Sequence, residues 1–426
     1  MPGAALSRLR LPADAAPRAS IVMVLTRDAS QARAALQALA AAHDGTVPAE
    51  TFLVLNAAEP DVRRLALEEA SGARVLVSEA NLGTACAWNE AVRRARGDYV
   101  VLVHEDAEVQ PGWLAALVSA VEAEPRAAAA GARLLNPGGS LQNAGWILLR
   151  DGRPAPVVPA PARSAPVPVD FCSSATLLIE RAPLLAAGGF DEGFFPAVYV
   201  EIAACTALWR SGRAVVSVPD AVAVHRRGAM VRPERGALAS ERFRTWLMER
   251  HRARFADVWA QALPGFEPCD APWPVPADVV RRGLERAHGR LDALPPPAGA
   301  APAPAPAAAG PGAEEVARDV QARCAERLRA VALEFLEWAV PDAEARESEL
   351  AAAITAAYGA LDVHVARGRE LERQLGEARE QIAGLEAERA RLREASSTLD
   401  AVLAGRWWRL RTALRRAGRL RGPRRP

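Results

Sequence analysis

The sequence predicts an α/β fold: an open, mixed and mostly parallel sheet covered by helices, followed by an α-helical and coiled-coil C-terminal region. Three observations carry this. Short apolar runs alternate with alanine-rich helical stretches between residues 20 and 104. A Pro/Ala-rich segment, 294–312, interrupts the chain and cannot form a core. Beyond it, apolar residues recur at seven-residue spacing.

The apolar runs are Ile21–Leu25, Thr51–Leu55, Arg74–Val77 and Tyr99–Val103, separated by helical stretches over 30–42, 59–71 and 83–95. Runs that are apolar on every position suit parallel strands buried on both faces. Right-handed crossovers then place ligands at the strands' carboxyl ends. Pro111 is placed to open a helix near 111–123, and 127–150 reads as a strand and a hairpin around Asn136-Pro-Gly-Gly. Six prolines in 153–168 predict a loop. A strand (169–179), helices at 181–187 and 200–211, and two β runs (213–218, 221–224) ending at His225 complete the region. An amphipathic helix over 241–262 places the domain edge near 265. The expected organisation is therefore an α/β domain over 18–265, a helix and linker over 266–312, a helical and coiled-coil region over 313–404, and a basic tail over 405–426.

Leu371, Ala378, Leu385, Leu392 and Leu399 form one seam position, and Leu375, Ile382 and Leu403 its companion, interrupted by Arg389 and Ser396. This suits self-association through 369–404, or one long helix packed on another body. The tail holds nine arginines and no acid, with Trp407, Leu410, Leu414 and Ala417 on one stripe. Such a helix suits peripheral contact with an anionic membrane, or docking to a partner.

Composition excludes several classes. The net charge is only +2, every one of the 53 basic residues is arginine, and no aromatic-basic interleaving appears in the sheet region, so no nucleic-acid partner is expected. The five cysteines lie far apart without a Cys-x-x-Cys pair, which argues against a disulfide framework or zinc site. No stretch nears the roughly 20 apolar residues of a membrane span. A cytoplasmic location, peripheral on the inner face of the membrane, is the expectation.

Three stretches carry a single pattern, in order, over about 20–230: SEANLGTACAWNEAVRRARGDYVVLVHEDAEVQPGW, then GARLLNPGGSLQNAG, then GGFDEGFFPAVYVEIAACTALWRSGRAVVSVPDAVAVHRRG. Together they resemble the inverting family 2 glycosyltransferases of the A-type, Rossmann-like nucleotide-diphospho-sugar transferase fold.

Transfer from a nucleotide sugar builds negative charge on the leaving diphosphate, which a carboxylate-held divalent cation stabilises. The resemblance implies Mn²⁺ or Mg²⁺ on Asp106, in a His104-Glu105-Asp106 triplet where the family commonly shows Asn-Asp-Asp, with Glu105 beside it on the donor side. His225, after Val-Pro-Asp-Ala-Val, falls on the family's histidine and is implied as a metal or phosphate group. Inversion needs a base for the acceptor hydroxyl. Glu201, aligned on Phe194-Phe195 and Cys205, falls on the family's catalytic acid, while Val200 and Ala203 are apolar where the family's Glu-Asp-x-Asp carries acids. The donor-binding set implied by the match is Thr26, Asn56, Asn81, Gly83, Asn89, Glu105 and Asp106, with Leu55 where the family has an aspartate. Asn81 and Gly83 equally suit a capped strand-to-helix turn. Gln142-Asn143-Ala144-Gly145 resembles a segment near the sugar, and Trp146 is placed on the acceptor side or in the core.

The implied partners are a nucleotide-sugar donor and a glycan, lipid-linked or protein acceptor. The apolar Leu55, Val200 and Ala203 also admit a second reading, a decayed transferase fold that binds or scaffolds a polysaccharide-assembly complex.

Overall fold

The computed structural model describes residues 9–158, 165–226, 240–270, 274–295 and 313–339, together with the single residues 384, 391 and 409. The chain divides into compact units Met1–Tyr358 and Gly359–Pro426. The predicted coiled coil over 369–404 and the basic tail over 405–426 lie outside the described stretches.

In chain order the elements are β1 (Leu9–Arg10), β2 (Ala19–Leu25), α1 (Ala29–Ala42), β3 (Ala49–Asn56), α2 (Pro60–Arg64), β4 (Ala70–Ser71), β5 (Arg74–Ser78), α3 (Gly83–Arg94), β6 (Tyr99–His104) and β7 (Ala107–Val109). Next come α4 (Trp113–Ala123), β8 (Ala127–Leu135), β9 (Leu141–Asn143), β10 (Trp146–Leu148), β11 (Pro154–Pro156), β12 (Val167–Pro168) and β13 (Thr176–Glu180). The remainder is α5 (Arg181–Ala186), α6 (Val200–Arg210), β14 (Ala214–His225), α7 (Glu241–Val258), α8 (Ala277–Ala293), β15 (Ala313–Glu315) and α9 (Arg318–Ala339). An 11-stranded sheet runs β12-β14-β8-β13-β6-β2-β3-β5-β15, with β7 on β14 and β9 on β8.

The stretch from β6 to β15 in that order is parallel throughout. β13 is antiparallel to both β6 and β8, and β14 is parallel to β8. The strand alternation of the sequence sorts side chains onto two cores. Ile21, Met23, Leu53 and Leu55 face one layer with α1 and α4, while Val22, Phe52 and Val54 face the other with α3 and α6. Crossovers leave β2 toward β3 on one side and return to β6 on the other, so the strand order reverses between β2 and β6. In an open α/β sheet that crevice is where ligands bind. It lies between Leu25-Thr26 and His104-Glu105-Asp106.

Several expected elements change shape. The proline-rich 153–168 supplies an edge strand at each end: β11 pairs antiparallel with β10, and β12 with β14. Edge positions tolerate prolines because one side of the strand needs no amide donor. The two β runs before His225 form one strand, β14, with an irregularity between Val218 and Val222. Elements beyond residue 265 also pack on this region. α8 is tied on by Arg286, which donates to the buried Asp170, and by Arg290, 3.4 Å from the same carboxylate and 4.8 Å over the Trp209 ring of α6. Residues 313–339, expected to be helical and separate, contribute β15 to the sheet edge before α9 begins.

The entrance to α6 is strained. Val198 and Tyr199 have φ of 63° and 65°, a region that costs a β-branched or bulky residue about 1–2 kcal/mol. Two contacts hold it: His251 Nδ1 donates to the Val198 carbonyl at 3.2 Å, and the Tyr199 hydroxyl donates to the Gly152 carbonyl at 3.0 Å. A carbonyl only accepts, so His251 carries its proton on Nδ1, and Nε2 faces Arg250 Nη1 at 3.1 Å as an acceptor. Burial, aided by that guanidinium, holds the His251 imidazole down to about 4.

The native state thus refuses a proton that the unfolded chain binds below about pH 6.5. Stability contributed by this group is complete above that pH and is lost as pH falls toward 4, by up to about 3 kcal/mol. Urea unfolding at pH 7.5 and 4.5 should show the loss, and His251→Gln should flatten the pH dependence; an unchanged slope in that variant would contradict the assignment.

Candidate active site

Four strand and helix ends meet around the crevice. β6 ends at His104, and Glu105 and Asp106 come next, before β7. β14 pairs antiparallel with β7, with His225 opposite Ala107, which sets His225 beside Asp106. Gln142 comes from β9, which pairs with β8 next to β14. Glu201 comes from the first turn of α6, where a carboxylate also suits the helix N-terminus.

His225 Nε2 lies 3.3 Å from Asp106 Oδ1, and His104 Nδ1 lies 3.8 Å from the same oxygen. One ligand atom from each of the three lies within 4.8 Å of the others, the one such grouping among the described residues. The outer nitrogens decide what the inner ones can do. Gln142 Nε2 donates to the His225 carbonyl at 3.0 Å and to Asn136 Oδ1 at 3.0 Å, which fixes its amide. Its oxygen therefore faces His225 Nδ1 at 2.8 Å and takes that nitrogen's proton. On the other side His104 Nε2 lies 3.0 Å from Ser174 Oγ, which in turn donates to Glu201 Oε1 at 3.3 Å. The hydroxyl proton being used on Glu201, Ser174 accepts from His104. In its neutral form each imidazole consequently points a lone pair at Asp106 Oδ1, so that three acceptors then face one space. Only a proton or a cation reconciles them, so the donor set fits a divalent metal ion.

The electrostatics agree. Burial holds the His104 imidazole down to about 4, against the pull of Asp106. Burial works to raise the Asp106 carboxyl, but the adjacent His225 and His104 outweigh it, and the group lies below its ordinary value. Burial raises the Glu201 carboxyl, opposed by a backbone bond and by Ser174. Glu105 closes the β2–β6 crevice instead of joining the cluster: it accepts from the Thr26 amide at 2.8 Å and from the Thr26 hydroxyl. Burial pushes its carboxyl up to about 7, the Thr26 bonds opposing this.

The remaining residues of the expected donor set form a scaffold. Asn56 Oδ1 accepts from the Leu82 amide at 2.6 Å, and its Nδ2 donates to Asn81 Oδ1 at 3.2 Å; Asn81 Oδ1 also accepts from the Gly83 amide at 2.8 Å. The Asn89 amide is spent on a neighbouring turn, bonding Phe190 N and O at 2.9 Å each. Leu55, Val200 and Ala203 are core residues, 0%, 0% and 2% exposed, so packing accounts for their apolar character. Trp146 is partly buried and stacks on Phe171 at 5.7 Å. Neither His104 nor Ser174 stands out as a site residue in the amino-acid order. His104 sits there as an ordinary replacement within its triplet, and nothing near Ser174 in the chain marks it.

Gly83 has φ of 66°, and a Cβ there would lie 2.7 Å from the Phe195 ring and 2.8 Å from the Pro196 carbonyl. Gly83→Ala is expected to cost about 2–4 kcal/mol from backbone strain and overpacking together, read as a lower urea midpoint at unchanged slope.

Residues 20–156 match the profile of the family described as Glycosyl transferase family 2. An N-acetylglucosaminyl-diphospho-decaprenol L-rhamnosyltransferase of Mycobacterium tuberculosis is 27% identical over 206 residues, which cover 42% of this chain and 66% of that relative. Among solved structures, GalNAc-T7 with UDP, GalNAc and Mn²⁺ aligns over 63% of this chain and 55% of that one, at 15% identity and a TM-score of 0.43. The mannosyltransferase PcManGT of Pyrobaculum calidifontis, with GDP-Man and Mn²⁺, aligns over 82% and 90%, at 19% identity and a TM-score of 0.40. No described helix is long and apolar enough to cross a membrane.

Proposed function

We propose that this chain is a family 2 glycosyltransferase that passes a sugar from a nucleotide-diphosphate donor to a glycan or lipid-linked acceptor, with inversion and with a divalent cation; the match of residues 20–156 to that family supports the reading. One observation supports this above the others: His104, Asp106 and His225 converge at the strand reversal, and Ser174 joins that cluster to Glu201.

When bound, the cation supplies charge stabilisation to the departing diphosphate. Asp106 and the two imidazoles hold it, Gln142 and Ser174 orienting the rings from behind. Glu201 takes the proton of the attacking hydroxyl. Its raised carboxyl is a better base than an exposed glutamate, and Ser174 holds one of its oxygens so that the other is free to face the acceptor. Asn56, Asn81 and Gly83 shape the turn that receives the nucleotide, and Glu105 with Thr26 sets the width of the crevice. The named relative makes a rhamnosyl nucleotide and a polyprenyl-diphosphate-linked saccharide the first donor and acceptor classes to test.

Two imidazoles and one carboxylate favour Mn²⁺ over Mg²⁺, because a hard, strongly hydrated ion prefers oxygen ligands. Nucleotide release from donor should therefore be faster with Mn²⁺ and stop with EDTA. Asp106→Ala and His225→Ala should each weaken Mn²⁺ binding at least about tenfold, a ligand loss at least as severe as loss of an outer-shell partner. That affinity should also fall as pH falls, since proton and cation compete for the same nitrogens. Glu201→Gln should retain Mn²⁺ and donor binding while kcat drops by about 10²–10⁴. Wild-type rates in both Asp106→Ala and Glu201→Gln would end the proposal.

A further inference from the structure

β15 runs parallel to β5 with Ala313 opposite Val75 and Glu315 opposite Val77, so the chain returning from the linker is aimed along β5 at the Ser78–Gly83 turn. The Val316 amide extends this pairing to the Val77 carbonyl at 2.8 Å. Gln321, in the first turns of α9 and 9% exposed, then meets the turn itself. Its Oε1 accepts from the Glu79 amide at 2.9 Å and the Ala80 amide at 3.2 Å, while its Nε2 donates to the Val316 carbonyl at 2.7 Å. A buried side-chain amide placed across two successive main-chain N–H groups fixes their direction, and those two groups open the segment that continues into Asn81 and Gly83.

Two helical turns on, Arg327 holds the opposite wall. It donates to the Glu192 carbonyl, lies 3.4 Å from Glu192 Oε2, and places its guanidinium 5.1 Å over the Phe195 ring. Phe195 is the ring that crowds Gly83, and Pro196 beside it accepts from the Thr84 amide at 2.6 Å. A single helix, far beyond the matched 20–156, thus grips both the turn at the start of α3 and the loop that leads into Glu201.

We propose that Gln321 and Arg327 are positioning residues for the nucleoside-diphosphate part of the donor, acting through the Ser78–Gly83 turn and the 192–196 loop; this rests on the donor-binding role proposed for that turn. The residues touch no donor themselves. They set the main chain that does.

The test uses the full chain, titrated with uridine, guanosine and thymidine diphosphates in Mn²⁺, and hydrogen exchange of the 78–84 peptide. With wild type binding one nucleotide, Gln321→Ala should raise its Kd and the donor KM about fivefold or more, the loss expected for orphaning buried amides, with kcat within about twofold. Exchange at 78–84 should quicken while the β6 peptide stays unchanged. Gln321→Glu keeps an acceptor for both amides but sets its other oxygen against the Val316 carbonyl, so it should recover only part of the affinity lost in Gln321→Ala. Should Gln321→Ala not fold, Gln321→Glu and Arg327→Gln read the same quantities, each weakening affinity and quickening exchange at 78–84, and unchanged affinity in both overturns the inference. Unchanged affinity in Gln321→Ala overturns the inference and leaves the donor role of the turn intact; failure of the wild type to bind any of the three overturns that role, and this inference with it.

Discussion

Three lone pairs converge on one small space, and the rest of the site is arranged to keep them there. Gln142 and Ser174 each take the outward proton of an imidazole, so His225 and His104 have nothing to offer Asp106 but acceptors. Buried acceptors that face one another are costly unless a positive charge lies between them. The geometry is the more demanding because its components come from four places in the chain: the ends of β6 and β14, the strand β9, and the segment before β13.

Around this centre the protein stores strain and balances it by packing. The left-handed pair Val198 and Tyr199 turns the chain sharply into α6, and Glu201 comes two residues later. Such a turn persists only where its neighbours overdetermine it. His251 from α7 and the Gly152 carbonyl do so, while Arg290 from α8 stacks on Trp209 at the far end of the same helix. Helices outside the matched family region therefore fix the direction of the candidate base. Gly83 and the Phe195 ring make the corresponding fit at the turn that opens α3, with no room for a methyl group between them.

The β15–α9 return extends that arrangement. Sheet edges are open templates, and adding one parallel strand to β5 both covers the edge and fixes the register of the helix that comes after it. Because a parallel strand runs in the same sense as its neighbour, α9 necessarily begins near the carboxyl end of β5, the functional rim of the sheet. The polar bonds of Gln321 and Arg327 then give that placement its direction.

Much of the α/β region could be read in the amino-acid order alone. The buried parallel strands show as short uninterrupted apolar runs, and the helices between them as alanine-rich stretches, because burial on two faces leaves no polar alternation. Asp106, His225 and Glu201 could be picked out by chain position relative to a known pattern. Local chemistry also marked Asn81 and Gly83 as a turn. What the order of residues could not state is who meets whom. His225 becomes a partner of Asp106 only through the pairing of β14 with β7, Ser174 matters only because β13 lies beside β6, and Gln321 reaches the site across about 240 intervening residues. Those are long-range registers, and a register is set by the packing of whole faces, not by any residue's own preference. Propensity and periodicity determined which segments would be strands and helices; the tertiary structure alone decided which nitrogens and oxygens would share a space too small to leave their charges unmatched.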